Sequence, residues 1–319
     1  MKPPYQVSTK ILELISSIAE KIGEINAAYL YKPPTELRKK NRIKTIQSSL
    51  EIEGNSLSLD QVTAILENKK VIAPKKDILE VKNAIKAYEN LDSYYHTSLT
   101  SFCKAHATLM NGLVENAGKI RTKSVGILKG SKVTHIAPPG DIINSLVKEL
   151  FDYLKKDKDL LLIKSCVFHY EIEFIHPFMD GNGRIGRLWQ TVILRQYSPV
   201  FEFLPIELLI KARQTDYYRT LGESDNKGDS TGFIEFMLQI INESLEELLT
   251  NQNVNLTSQD RLAIFKEKIG KSSFTRQDYM RHFKEISTST ASRDLKLAVE
   301  KGLLNKSGDK RTTSYKFKK

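Results

Sequence analysis

Seven residues that could act together on a phosphate ester fall inside one short stretch, "HPFMDGNGRIGR": His176, Asp180, Gly181, Asn182, Gly183, Arg184 and Arg187. Gly181 and Gly183 lack a Cβ, so the backbone can take positive φ and come close to a ligand. Successive N–H groups in such a turn form an anion nest, and the N-terminus of a following helix adds partial positive charge. Arg184 and Arg187 are three apart, so both project from one side of that helix's first turn. Two guanidiniums beside a nest call for a ligand with several negative charges, such as a di- or triphosphate. Asp180 alone would repel that ligand, but with Mg²⁺ between them it becomes a hard oxygen ligand. His176 can take a proton from a hydroxyl near neutral pH. Base, metal ligand and phosphate cradle together imply nucleotidyl or phosphoryl transfer to a hydroxyl. Gly-Asn-Gly alone would be only a polar turn behind a helix-capping His, and it is the full set that points to chemistry.

A second stretch, "SSLEIEGN", places Ser49 and Glu53 four apart on one face of a helix that Gly54 ends. By residue type alone, Glu53 reads equally as a solvent-facing glutamate. Other motifs fail. Gly270-Lys271-Ser272 resembles the end of a P-loop, but the required first glycine is Phe265. His169 and His176 could share a helix face, yet no third zinc ligand accompanies them, and a structural role for His169 is expected.

These groups need a scaffold. The chain has 319 residues, long for one core, and two or three domains are expected. No run of apolar residues is long enough to span a membrane, and "MKPPYQVSTK" has no apolar leader core. A cytoplasmic location is expected, with Cys103 and Cys166 as buried free thiols in a reducing compartment. Ile11, Ile15, Ile18, Ile22 and Ile25 make one helical stripe, which "YKPP" breaks. Further helices are expected at about 35–53, 59–66, 76–91 and 98–113. Alternation around Val125, Ile127, Gly130 and Val133, closed by Pro138-Pro139, predicts a short β-hairpin between helices. Helices resume at 142–154 and 160–175, and Pro177 stops the latter. Others start near Ile185 and cover 205–221 and 232–249. "TNQNVNLTSQD" reads as a polar linker.

"HPFMDGNGRIGR" resembles the signature of the Fic family, HPFx[DE]GNGRxxR, with no departure at its defining positions. "GKIR" (Gly118–Arg121) and "HIAPPG" (His135–Gly140) look like that family's flap hairpin and its exit. "YYRTL" and "NKGD" look like its later helix and the turn near the adenine. The resemblance covers roughly Leu59 to Leu249, and the N-terminal helices look like the extension common in bacterial members. It implies AMP transfer from ATP to a Ser, Thr or Tyr hydroxyl of a target protein, the enzyme itself included. His176 would be the base and Asp180 the ligand for Mg²⁺ (or Mn²⁺). The Gly181–Gly183 backbone, Asn182, Arg184 and Arg187 would bind phosphates, with Tyr218 and Asn226 near adenine or ribose. The flap would align the target by strand addition. Gly183, where phosphoryl-transferring relatives typically carry Lys, favours nucleotidyl transfer. "SSLEIEGN" looks like the family's inhibitory motif, [ST]xxxE[GN]. In that likeness Glu53 reaches Arg187, Ser49 steadies it, and ATP is kept from an in-line geometry.

Charge is uneven. From Asn255 to Lys319 there are 16 Lys/Arg and 7 Asp/Glu, a net of +9 out of the whole chain's +11. The order of elements there resembles a winged helix: a short helix at Tyr279 and Phe283, and a second capped by Ser287 and ended by Gly302. Two strands follow around Ser307-Gly308. Arg293, Lys296, Lys310 and Arg311 suit phosphate contacts, and such modules also bind proteins. The expected fold is mainly α: N-terminal inhibitory helices (1–95), a Fic-type helical core with a hairpin flap (96–249) and a winged-helix domain (255–319). The competing expectation is a DNA-binding regulator whose core senses a nucleotide. A homo-oligomer stays open.

Overall fold

The computed structural model describes residues 2–27, 35–124, 126–129, 132–250, 256–283, 286–309 and 312–318, with the backbone alone for the strands between 126 and 136. Tyr31–Pro34, Val125, Gly130, Lys310, Arg311 and the linker's 251–255 therefore lie outside the described residues. The chain forms two compact units, Met1–Thr250 and Asn251–Lys319.

The fold is mainly helical, with fourteen α-helices among the described residues. In the first unit come α1 (Thr9–Ala27), α2 (Thr35–Ile52), α3 (Leu59–Leu66), α4 (Lys75–Glu89) and α5 (Leu99–Leu109). An antiparallel hairpin follows, β1 (Gly126–Lys129) and β2 (Lys132–Ile136). Then come α6 (Ile143–Lys156), α7 (Leu161–Ile175), α8 (Asn182–Leu194), α9 (Ile206–Ala212), α10 (Gln214–Lys227) and α11 (Thr231–Thr250). The isoleucine stripe of α1 packs along α11, while α7 packs along α8 and α11. α8 buries every residue and α7 all but four. An aromatic cluster locks this centre. Phe102 meets Trp189 edge-on (centroids 5.1 Å apart, 82°) and Phe168 likewise (5.7 Å, 87°), a favoured ring geometry. Phe178, from the loop between α7 and α8, joins the same cluster, so the core anchors the signature stretch directly. α2 is unusual in burying Asn41, Thr45, Ser48 and Ser49 beside its isoleucines.

The second unit holds α12 (Ser258–Ile269), α13 (Arg276–His282), α14 (Thr288–Glu300) and a hairpin of β3 (Leu304–Ser307) and β4 (Ser314–Phe317). Ser287 caps α14, and Gly302 past its end takes φ 70°.

Several elements differ from the expected bounds. The 205–221 helix is two helices, broken at Arg213 (φ −115°), and the second runs on to Lys227. The helix after the signature begins at Asn182, because the left-handed Gly181 (φ 83°) turns the chain into it three residues before Ile185. The 98–113 helix stops at Leu109, and turns carry the chain onward. The end of the polar "linker" is a helix start: Thr257 and Asp260 form a reciprocal capping box that opens α12. Both cysteines are free; Cys166 is buried and its thiol pushed up to about 12 by desolvation, while Cys103 is half-buried. Among the described residues no helix is long and apolar enough to cross a membrane.

Candidate active site

The signature stretch closes α7 and opens α8. His176 caps α7 in the left-handed region (φ 52°), rare for a residue with a Cβ. Its Nδ1 lies 3.2 Å from the Glu173 carbonyl. A proton donated there leaves the lone pair on Nε2. The turn is braced from within by Asn182, whose amide accepts from the Phe178 N–H and donates to the Phe178 carbonyl, each at 2.9 Å. That side chain is spent on the loop, so what residue 182 offers an anion is its backbone. Gly181 admits no Cβ, which would lie 2.6 Å from Met110 Sδ.

Both arginines are buried. Arg184 donates to Glu80 Oε1 and to Asp180 Oδ1, each at 3.0 Å, and its Nε has no partner among the described residues. Asp180 also accepts from the Gly181 N–H at 2.6 Å, again on Oδ1, and half of its side chain is exposed. Arg187 donates through Nε to Ser49 Oγ (3.0 Å) and through Nη2 to the Ser49 carbonyl (2.9 Å) and Glu53 Oε1 (2.7 Å). Burial would lower the Arg187 pKa, but Glu53, Tyr217 and Glu173 overcome it and raise it above its ordinary value. Glu53 follows the last turn of α2, where Gly54 takes φ 89°. Its carboxylate also stands over the signature loop: a methyl at Gly183 would collide with Glu53 Oε1. Ser49, Glu53, Gly183 and Arg187 thus meet in one place. Tyr218 lies near enough to Glu53 and Arg187 to feel both charges, although burial is the larger reason its pKa is raised. Asn226 is exposed in the last turn of α10, and no hydrogen bond or ion pair joins it to the loop among the described residues.

Three further residues shape the site and were not singled out from the sequence. Glu80 pairs with Arg184 from α4 and accepts from Asn55 Nδ2 at 2.8 Å. Glu173, one turn before His176, accepts from the Tyr217 hydroxyl at 3.2 Å. Burial would raise its carboxyl, but His169, Arg187 and His176 outweigh that and hold it below the usual value. His106 links the segment before β1 to the loop: Nδ1 accepts from the Gly118 N–H and Nε2 meets the Asp180 carbonyl, both at 2.8 Å. Desolvation pushes it down to about 4, so it is a neutral brace stacked 3.6 Å from Phe178. His169, structural as expected, lies fully buried between Gln190 and Tyr217. A histidine on the largely apolar face of α5 is the available signal for His106, and Glu80 beside Val81 is the one for α4.

Among the described residues no three His, Cys, Asp or Glu side chains converge to hold a metal by themselves. A single exposed carboxylate beside an anion cradle fits Mg²⁺, which usually keeps waters and binds through one or two carboxylates plus substrate phosphates.

Residues 96–194 match the Fic/DOC family. The chain is 27% identical over 265 residues to "Protein adenylyltransferase Fic" of Nematostella vectensis, covering 77% of this chain and 58% of that one. It is 28% identical over 217 residues to "Protein adenylyltransferase fic-1" of Caenorhabditis elegans, covering 64% and 40%. It thus spans about half the length of these relatives. A crystal structure of a Fic family protein from Desulfovibrio desulfuricans superposes with TM-score 0.77 at 37% identity, covering 100% of this chain and 98% of that one. The structure of Fic-1 from C. elegans shares the fold at TM-score 0.60 and 23% identity, covering 75% and 71%.

Proposed function

The chain belongs to the Fic family, and from that premise we propose that it is a protein adenylyltransferase held in check by its own N-terminal helices. In this reading ATP lies with its phosphates on the Gly181–Gly183 backbone and on Arg184 and Arg187. The target's Ser, Thr or Tyr hydroxyl, aligned along the β1–β2 flap, attacks the α-phosphorus. His176 Nε2 takes the hydroxyl proton. The new bond joins the target oxygen to the α-phosphorus, the bond to the bridging oxygen breaks, and pyrophosphate leaves. When bound, Mg²⁺ on Asp180 offsets phosphate charge. The signature residues supply position and electrostatics, which carry most of the catalysis in such transfers.

One observation carries the regulatory half of this reading. The Glu53 carboxylate stands at the N-terminus of α8, on Gly183 and on Arg187. An anion from the protein thus sits where a phosphate of the nucleotide belongs. Ser49 holds the same guanidinium through two bonds. Glu53 therefore competes with the γ-phosphate for Arg187. ATP can bind, but not with its α-phosphorus in line. The test is incubation with labelled ATP and Mg²⁺. Label on protein in the Glu53→Gly variant supports the reading; a folded variant that binds ATP but transfers nothing refutes it.

The second unit supports a second, separate role. Three helices and an antiparallel hairpin, with Arg293 and Lys296 exposed on α14, fit a winged helix. With a net charge of +9 beyond Asn255, DNA is the partner its charge suits best. A salt-dependent mobility shift lost on replacing both residues by Ala checks this.

A further inference from the structure

Arg121 is 3% exposed, on the segment that leads from α5 into β1. Among the described residues its guanidinium donates four hydrogen bonds, and all four end on backbone carbonyls. Nε reaches the His176 carbonyl at 2.6 Å, and Nη2 reaches that of Ile175 at 3.1 Å. Nη1 reaches the Lys123 carbonyl at 2.6 Å, and Nη2 also reaches that of Pro138 at 2.9 Å. The Arg121 N–H donates to the Pro177 carbonyl at 2.9 Å. None of these partners is a carboxylate, and burial shifts the guanidinium pKa downward. A buried charge held only by carbonyls is expensive unless they are well placed. Here two of them end α7, where a helix leaves carbonyls unpaired and its dipole favours a cation.

The four carbonyls belong to three separate segments. Ile175 and His176 form the turn that aims the base. Lys123 lies three residues before β1 and Pro138 two residues after β2, one on each leg of the hairpin. The legs themselves touch, for a methyl at Gly140 would collide with the Thr122 carbonyl. His176 is held at φ 52°, a conformation that persists in a non-glycine residue only where the surroundings over-determine it. One planar fork therefore fixes the peptide plane of the base and both roots of the hairpin.

We propose that Arg121 is a positioning residue that keeps the base and the target-aligning hairpin in one register. The proposal rests on the adenylyl-transfer reading, in which His176 takes the proton from a hydroxyl laid along the hairpin. With the fork gone, the hairpin and the imidazole move independently, and the hydroxyl arrives beside a base aimed elsewhere. Nucleotide binding uses the other end of the loop and does not pass through Arg121.

The experiment compares Arg121, Arg121→Lys and Arg121→Ala in the full chain carrying Glu53→Gly. It measures AMP transfer, ATP affinity and backbone hydrogen exchange. In the alanine variant kcat is expected to fall about a hundredfold, the scale of an ångström of misplacement, while ATP affinity stays within about twofold. The lysine variant should stay near the alanine one, because an ammonium lacks the fork that spans three segments. Exchange should rise together at 122–124, at 140–141 and at His176 and Phe178, and not along α1 or α11. An unchanged kcat, or ATP affinity falling in step with kcat, overturns the proposal. So does exchange rising throughout the first unit or at only one of the three segments. If Glu53→Gly alone transfers no AMP, the functional reading fails by itself, and the joint rise in exchange still decides whether the clamp exists.

Discussion

Replacing Glu53 by Gly is expected to raise AMP transfer, and the contacts of Arg187 set the scale. The bond removed is one charge-assisted pair of 2.7 Å between Nη2 and Oε1. Such a bond contributes about 1.5–3 kcal/mol, or roughly tenfold to over a hundredfold in rate if it is the whole barrier to an in-line triphosphate. The structure favours the upper part of that range. After the change Arg187 keeps both bonds to Ser49, so the guanidinium is still oriented when the γ-phosphate arrives. The space over Gly183 is vacated as well, since the carboxylate that a Cβ there would strike is gone. Glu53→Gln separates the two effects: it removes the charge but leaves the side chain over Gly183. If competition for charge dominates, Gln activates nearly as well as Gly; if occupancy dominates, Gln stays close to wild type. Arg187→Ala should show no gain, because the inhibitory and phosphate contacts vanish together, and the double variant should match it. The assay is transfer of labelled AMP at equal protein and saturating ATP, with circular dichroism to confirm folding. A folded Glu53→Gly protein no faster than wild type would refute the inhibitory reasoning and return Glu53 to an ordinary surface glutamate.

His176→Ala should abolish transfer yet bind ATP nearly as well, since other groups hold the phosphates; transfer at the parent rate would remove His176 from its role. Asp180→Ala should lose the response to added Mg²⁺ in a transfer titration, and full activity of wild type in EDTA would contradict the metal assignment. The neutral His106 predicts a pH dependence of stability. Its folded pKa is lowered from 6.5 to about 4, so between those values the unfolded chain binds the extra proton. Its contribution is therefore complete above about pH 6.5 and is lost as pH falls towards 4, by about 3 kcal/mol at most. Urea midpoints at pH 5 and 7 check this. His106→Phe, which keeps the stack on Phe178, should be less stable at pH 7 and show a smaller fall on acidification than wild type.

Local sequence determined what depends on near neighbours. The stripe of α1 is visible because buried positions recur every three or four residues, and the signature loop because its glycines, carboxylate and arginines are consecutive in the chain. Ser49 and Glu53 were legible as a pair for the same reason, one helical turn apart. Where composition masks a local signal, the pattern is silent. "TSQD" looked like linker because every residue in it is polar, although Thr257 and Asp260 make the cap that starts α12.

The tertiary structure alone decided which distant polar groups meet. Glu80 reaches Arg184 across 104 positions, His106 reaches Asp180 across 74 and Arg121 reaches His176 across 55. No periodicity marks such residues. Each is a charged or imidazole side chain whose burial is tolerable only because a particular partner from another element meets it in the folded chain. The seven residues of the signature state what chemistry is on offer. How His176 is oriented, which carboxylates hold the arginines, and whether Glu53 faces water or Arg187 depend on packing between segments far apart in sequence.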